Sequence, residues 1–319
     1  MERSFVVLAS TAYSGSTLLS FLLGAHPQIA TTSDVSGVRR QDKMDVFECS
    51  CRRRMLDCPF WQSLADRMRA RGHHDFELAN FGLGFDYLGQ GLRSKLLSGS
   101  FPIPVLETVR DRIVAAVPGH TARMRAIAVR NRDFAQVVLD LTGASVFVDA
   151  SKERMRILHL QRHLAPTMDL RVIHLVRDVR GVVESNLRRG KKPGLTAAHA
   201  ARNWANTNDI ILRNLRSVPT ERQTSIRYED LCRDPDAAMR ALFEFCGVDP
   251  LVRVTDVASG EQHLIGNQMR LGSVAEIRLD ERWRERLRES ELATIGRVAG
   301  EAYARLYPEA EPLATGGSG

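Results

Sequence analysis

Phe5-Val6-Val7-Leu8-Ala9-Ser10 runs through Thr11-Ala12 into Tyr13-Ser14-Gly15-Ser16-Thr17-Leu18-Leu19, joining a short apolar run to a small-residue loop and an apolar helix start. A strand feeding a helix through such a loop makes an anion cradle. The first N–H groups of the helix have no intrahelical partner, and the helix dipole favours negative charge there. Small residues let the backbone approach the anion closely. The Walker loop reads G-x-x-x-x-G-K-[ST], but here Ser10 stands for the first Gly and Ser16 for the Lys. The cradle lacks the cation that grips a γ-phosphate, so the expected ligand is a nucleotide without one.

The 319 residues are 44% hydrophobic and 26% charged, which is ordinary for a globular chain with a sizeable core. Forty-five basic against 38 acidic residues give a formal charge of +7, compatible with a polyanionic ligand. Most of the basic residues are Arg; the lysines are only Lys43, Lys95, Lys152, Lys191 and Lys192. Five Cys is an odd count, and Cys232 and Cys246 fall in or beside apolar helical patterns, which favours a reducing, cytoplasmic compartment over a disulfide framework. The stretch between Arg3 and Asp34 carries no charge, but Ser10, Thr11 and residues 14–17 interrupt it. No apolar run approaches the ~20 residues that span a bilayer, so a buried strand and helix are expected rather than an anchor. No basic stripe with interleaved aromatics marks a nucleic-acid surface.

Further strands are expected at residues 145–149, 170–176 and 223–228, with helices at 16–25, 52–71, 106–117, 123–141, 152–164, 179–189, 196–216, 235–246 and 291–306. Residues 28–46 read as loops. Strand–helix alternation with continuous apolar strands argues for a buried parallel sheet in an α/β domain spanning residues 1–310. Residues 41–117 are expected to form an insertion, and residues 311–319 a disordered tail.

Ligands of open parallel sheets gather at the carboxyl ends of the strands. The first strand ends at the Ser14–Thr17 cradle, and the second at Asp149-Ala150-Ser151-Lys152. The third ends at Arg177, with Ser185 eight residues later in the next helix. An Arg fork and a Ser hydroxyl at that spacing suit a phosphate. Two separate anion sites are therefore expected.

Ser14-Gly15-Ser16-Thr17-Leu18-Leu19, Leu175-Val176-Arg177-Asp178-Val179-Arg180-Gly181-Val182-Val183-Glu184-Ser185 and Arg227-Tyr228-Glu229-Asp230-Leu231 together resemble the PAPS-dependent sulfotransferase family. The carbohydrate and tyrosylprotein branch is nearer than the cytosolic branch with a His base. The resemblance runs roughly over residues 5–270, apart from 41–117, and implies a three-layer, P-loop NTPase-like fold with a central parallel sheet and helical insertions. It implies PAPS (3′-phosphoadenylyl sulfate) as donor, 3′,5′-adenosine bisphosphate as product and no metal requirement. Ser14, Gly15, Ser16, Thr17 and Leu18 then match the 5′-phosphosulfate loop, and Arg177 and Ser185 the 3′-phosphate site. Family loops carry Lys or Arg just before the Ser-Gly, where this chain has Tyr13.

The resemblance assigns Lys152, 25 residues before Arg177, to neutralising the bridging oxygen as the sulfuryl group leaves; the bland reading is a solvated first-turn Lys. Asp34, eight residues after His26, matches the base that takes the acceptor proton, against a loop Asp making a local turn. His26 reads as a helix-end residue. Gly266, Asn267 and Arg270 resemble a segment closing over the nucleotide, with a surface loop as the alternative. Tyr228 either borders the adenine or packs in the core. Cys49, Cys51 and Cys58 would bind zinc only if His73 or His74 completed the set, and the spacing favours a packed structural element. Phe76, Phe81, Phe85, Tyr87 and Phe101 are candidates for an acceptor pocket, and the acceptor class is a hydroxyl on a small molecule, lipid or carbohydrate. The competing functions are a nucleotide-binding protein without turnover and, against the missing Walker Lys, a nucleotide kinase.

Overall fold

The computed structural model describes residues 3–35, 47–85, 104–153, 155–189, 194–252, 263–265 and 277–315. Its centre is a parallel five-stranded sheet: β1 (Ser4–Ser10), β2 (Ile29–Ser33), β3 (Val146–Asp149), β4 (Asp169–Val176) and β5 (Gln223–Arg227), in the order β2-β3-β1-β4-β5. Every residue of β1 is buried, as a central strand covered on both faces requires. Its alternation divides the core. Phe5, Val7 and Ala9 face a cluster containing Trp61, Phe134 and Leu160, while Val6 and Leu8 face one containing Leu19, Leu23 and Phe243. Helices thus cover both faces of the sheet, the three-layer α/β arrangement expected.

α1 (Ser16–Gly24) and α9 (Pro235–Cys246) lie on the second face. α2 (Pro59–Ala70), α4 (His120–Thr142) and α5 (Arg156–His163) lie on the first. α6 (Val179–Arg189), α7 (Ala197–Leu215) and α11 (Glu289–Leu306) form a third apolar cluster around Trp204 and Tyr303. The short α8 (Tyr228–Arg233) and α10 (Trp283–Arg286) complete the site side of the fold. α3 (Pro104–Ala115) leaves Val105, Leu106, Val109 and Ile113 exposed. No helix among the described residues is long and apolar enough to cross a membrane.

Four expectations change. Residues 29–33 are a strand, not a loop; β2 pairs with β3, and its edge is met by a parallel bridge from Ser33 to Ile265. The expected helix over 52–71 divides into a 3-10 turn (Met55–Asp57) and α2, because Pro59 takes the first helical position with Cys58 as cap. Phe76, Phe81 and Phe85 do not line a pocket: they are at most 1% exposed, and Phe76 and Phe81 pack on Phe134. Tyr87 and Phe101 lie outside the described residues. Of the tail, residues 311–315 are docked, since Leu313 buries itself in the cluster around Ile295 and Ala299.

His174 of β4 is fully buried, with Nε2 beside the Asn208 Oδ1 of α7 at 3.0 Å. Burial pushes its pKa down to about 4. The unfolded chain takes up this proton near pH ~6.5 whereas the folded chain does not. This contribution to stability is therefore intact above pH ~6.5 and is lost as pH falls toward 4. We expect the melting temperature to drop across that window, and the drop to be shallower in His174→Gln, measured by thermal denaturation against pH.

Candidate active site

The opening loop makes a tight strand-to-helix turn because two of its residues accept left-handed backbone. Tyr13 has φ +64° and Gly15, the α1 cap, has φ +89°. The first helical bond runs from Leu19 N–H to the Gly15 carbonyl at 3.0 Å. The N–H groups of Ser16, Thr17 and Leu18 are therefore those that helix geometry leaves without an intrahelical acceptor. Thr11 and Ser14 hydroxyls close the loop at 2.5 Å. A Cβ on Gly15 would stand 2.6 Å from Cδ2 of Tyr228, so the ring also demands glycine here.

Arg177 joins this loop to the end of β4. Its Nη1 donates to the Tyr13 carbonyl at 3.1 Å, and its Nη2 donates to the Asp280 carbonyl at 3.0 Å, with the Asp280 carboxylate 3.3 Å away. The guanidinium lies over the Tyr228 ring, 4.4 Å from the centroid. Gly181 makes room on the other side, for a Cβ there would approach Arg177 Nε to 3.0 Å. Trp204 anchors the Arg177 carbonyl by donating from Nε1 at 3.0 Å. Ser185 lies two turns into α6 and is buried. Two bonds from Arg282, at 2.7 Å each, hold the Asp280 carboxyl well below the usual carboxylate range, and Arg177 adds to this.

The Arg227–Leu231 motif is explained by packing. Glu229 accepts from Asp178 N–H at 3.0 Å and from the Tyr307 hydroxyl at 3.0 Å, which ties α8 to the turn after β4. Burial pushes the Glu229 carboxyl up. Tyr228 is buried between Gly15 and Arg177, with its hydroxyl donating to the Arg278 carbonyl at 3.3 Å. A cleft of about 290 Å³, lined by Arg177, Arg180, Glu229, Trp283 and Tyr307 among others, opens against this group.

At the opposite flank of β1, Lys152 Nζ lies 3.8 Å from Asp34 Oδ2, both about one-third exposed. The two candidates come from different strand ends, since Asp34 directly follows β2 and Lys152 lies three residues past β3. A buried network holds the second of these ends. Asp149 accepts from Arg156 Nε and from Ser151 N–H, and Ser151 Oγ accepts from Val35 N–H at 3.1 Å, one residue past Asp34. Arg156 also donates to Asn131 Oδ1 and to the Leu83 carbonyl. Sequence reasoning missed Arg156; the available signal was an acidic strand end seven residues before an Arg in the next helix.

His26 is a buried structural residue. Gln28 N–H donates to its Nδ1 at 3.0 Å, Nε2 meets the Asp249 carbonyl at 3.2 Å, and burial lowers its pKa. His73 is bound to Asp133 at 3.0 Å, away from the cysteines. Instead His263 reaches Cys49 and Cys58. Gly266, Asn267 and Arg270 lie outside the described residues.

Residues 104–251, less than half of the chain, match the model described as "Sulfotransferase family". No curated protein matches the sequence. Among solved structures, the sulfotransferase domain of the Synechococcus PCC 7002 olefin synthase is similar at 21% identity, with 95% of this chain and 96% of that one covered and a TM-score of 0.46. Sulfotransferase STF9 from Mycobacterium avium is similar at 15% identity over 99% and 79%, with a TM-score of 0.48. Mouse SULT7A1, solved with PAP, is similar at 10% identity over 98% and 87%, with a TM-score of 0.43.

Gly15→Ala should destabilise the fold by about 1–2 kcal/mol through left-handed strain plus the clash with Tyr228. In a Tyr228→Ala background the clash is gone and only the strain remains. The Gly15→Ala penalty, read by denaturant titration, should therefore be smaller in that background.

Proposed function

We propose that the chain transfers a sulfuryl group from PAPS to a hydroxyl acceptor and releases 3′,5′-adenosine bisphosphate. The observation that carries this reading is the single guanidinium of Arg177 hydrogen-bonded to the opening loop. It brings a phosphate-type Arg within one side chain of a helix-terminal cradle, as a nucleotide with two separate anionic groups requires. The family-model match over residues 104–251 includes Lys152, Arg177, Ser185 and Tyr228 and supports the same reading. On it, the N–H groups of residues 14–18 hold the 5′-phosphosulfate. Arg177 and Ser185 hold the 3′-phosphate, which replaces the Asp280 carboxylate beside the guanidinium.

The Lys152–Asp34 pair supplies the remaining chemistry. Asp34 takes the proton of the acceptor hydroxyl as its oxygen attacks sulfur. Lys152 stabilises the charge that gathers on the bridging phosphate oxygen as the S–O bond breaks, in place of the cation absent from the loop. His26 is engaged by Gln28 and Asp249, which favours a carboxylate base and the carbohydrate and tyrosylprotein branch. The acceptor class is a hydroxyl on a small molecule, lipid or carbohydrate.

Isothermal titration should give tight binding of 3′,5′-adenosine bisphosphate and weak binding of ATP. Arg177→Ala should weaken the bisphosphate by about ten- to a hundredfold, the loss expected for charge-assisted bonds of ~1.5–3 kcal/mol. Near-normal affinity in that variant, or preference for ATP, overturns the assignment. Lys152→Ala and Asp34→Asn should leave bisphosphate affinity within a few-fold and cut its release from PAPS, across a panel of hydroxyl acceptors, by about a hundredfold or more. Binding without turnover in the unmodified chain would identify a nucleotide-binding protein instead.

A further inference from the structure

Three cysteines and one histidine converge on the first face of the sheet. Cys49 and Cys51 lie on a tight turn in which Cys49 N–H donates to the Arg53 carbonyl at 2.9 Å and Arg52 N–H donates to the Cys49 carbonyl at 3.0 Å. Cys58 caps the N-terminus of α2. His263 arrives from a segment 205 residues beyond Cys58. Its backbone neighbourhood is pinned by Leu264 N–H to Ser50 Oγ at 2.7 Å and by Ser50 N–H to the Leu264 carbonyl at 3.2 Å.

We infer that Cys49, Cys51, Cys58 and His263 bind one Zn²⁺ as a closed, structural Cys₃His site. The four ligand atoms all lie within 4.8 Å of one another. A tetrahedron with Zn–S of ~2.3 Å and Zn–N of ~2.0–2.1 Å has edges of about 3.8 Å between sulfurs and about 3.5 Å between sulfur and nitrogen. Three of the six edges measure close to this: Cys51 Sγ–Cys58 Sγ at 3.6 Å, Cys49 Sγ–His263 Nδ1 at 3.5 Å and Cys58 Sγ–His263 Nδ1 at 3.5 Å. A donor set of three thiolates and one imidazole with no open position suits zinc and a structural rather than hydrolytic role.

Outer partners match. Trp61 Nε1 donates to Cys49 Sγ at 3.3 Å, a contact of the kind that orients a metal ligand. The His263 ring stacks on Phe60, with centroids 4.4 Å apart and planes 9° apart, which aims Nδ1 at the sulfurs. On binding, three thiols release their protons to solvent and His263 coordinates neutral, leaving the site at charge −1. The exposed Arg52-Arg53-Arg54 run beside it complements that charge.

The metal would clamp the α2 entry to Leu264-Ile265. Ile265 N–H donates to the Thr32 carbonyl of β2 at 3.1 Å, two residues before Asp34. The site therefore supports the edge strand without joining the reaction.

The full chain, purified without chelator, should carry one zinc per molecule by elemental mass spectrometry. Cobalt exchanged into it should show the visible bands of tetrahedral Co(II) and a thiolate charge-transfer band. Cys58→Ser and His263→Ala should lose stoichiometric metal, whereas Cys232→Ser should retain it. If the ligand variants fail to fold, chelation of the unmodified chain gives the same information: its melting temperature should fall and recover on adding zinc. A folded chain with well under one zinc and octahedral cobalt overturns the inference. So does a Cys51–Cys58 disulfide found by intact mass in metal-free native protein. These readouts stand whether or not the chain binds adenosine bisphosphate.

Discussion

The guanidinium of Arg177 is the contact on which the geometry of the site depends. It leaves the carboxyl end of β4, crosses to the Tyr13 carbonyl and lies on Tyr228, with the carbonyl and carboxylate of Asp280 at its far side. Removing a guanidinium from water is costly unless its donors are met and a counter-charge is near. Those partners come from three separate pieces of chain, so forming them fixes the pieces relative to one another. Glu229, Trp204 and Gly181 serve this side chain indirectly: two hold the backbone turn and the third leaves the space.

A second buried charge organises the other flank of β1. Asp149 and Arg156 are almost fully buried, and Arg156 spreads its remaining donors over Leu83 and Asn131. Breaking such a pair strands a charge in the core, which makes the turn around residues 149–152 rigid. That turn carries Lys152, and Ser151 extends its hold to the residue after Asp34. On the proposed function, such support would hold Lys152 and Asp34 near their working geometry before an acceptor arrives.

Much of the fold was legible in strings of residues. The strands at 4–10 and 146–149 are nearly continuous apolar runs, and 169–176 is apolar but for Asp169, Arg171 and His174; a parallel sheet is the arrangement that buries such strands on both faces. Arg177, Ser185 and the opening cradle stood out because strand ends are where ligand groups gather. β2 was not legible: Ile-Ala-Thr-Thr-Ser is short and half polar, and its burial comes from α1, α4 and Ile265 rather than from its own composition. The aromatic residues 76, 81 and 85 looked free to line a pocket, yet Phe134 of α4 packs on the first two and His159 of α5 stacks on the third.

The sequence by itself determined the layer order, the strand–loop–helix turn and the charged side chains at the ends of β3 and β4, since periodicity and local turn chemistry act between neighbours in the chain. Only the tertiary structure decided which distant residues meet: Asp34 with Lys152, Asp280 with Arg177, and His263 with the three cysteines. Each of these pairings joins segments far apart in sequence, and no local preference encodes the crossing of the sheet that brings them together.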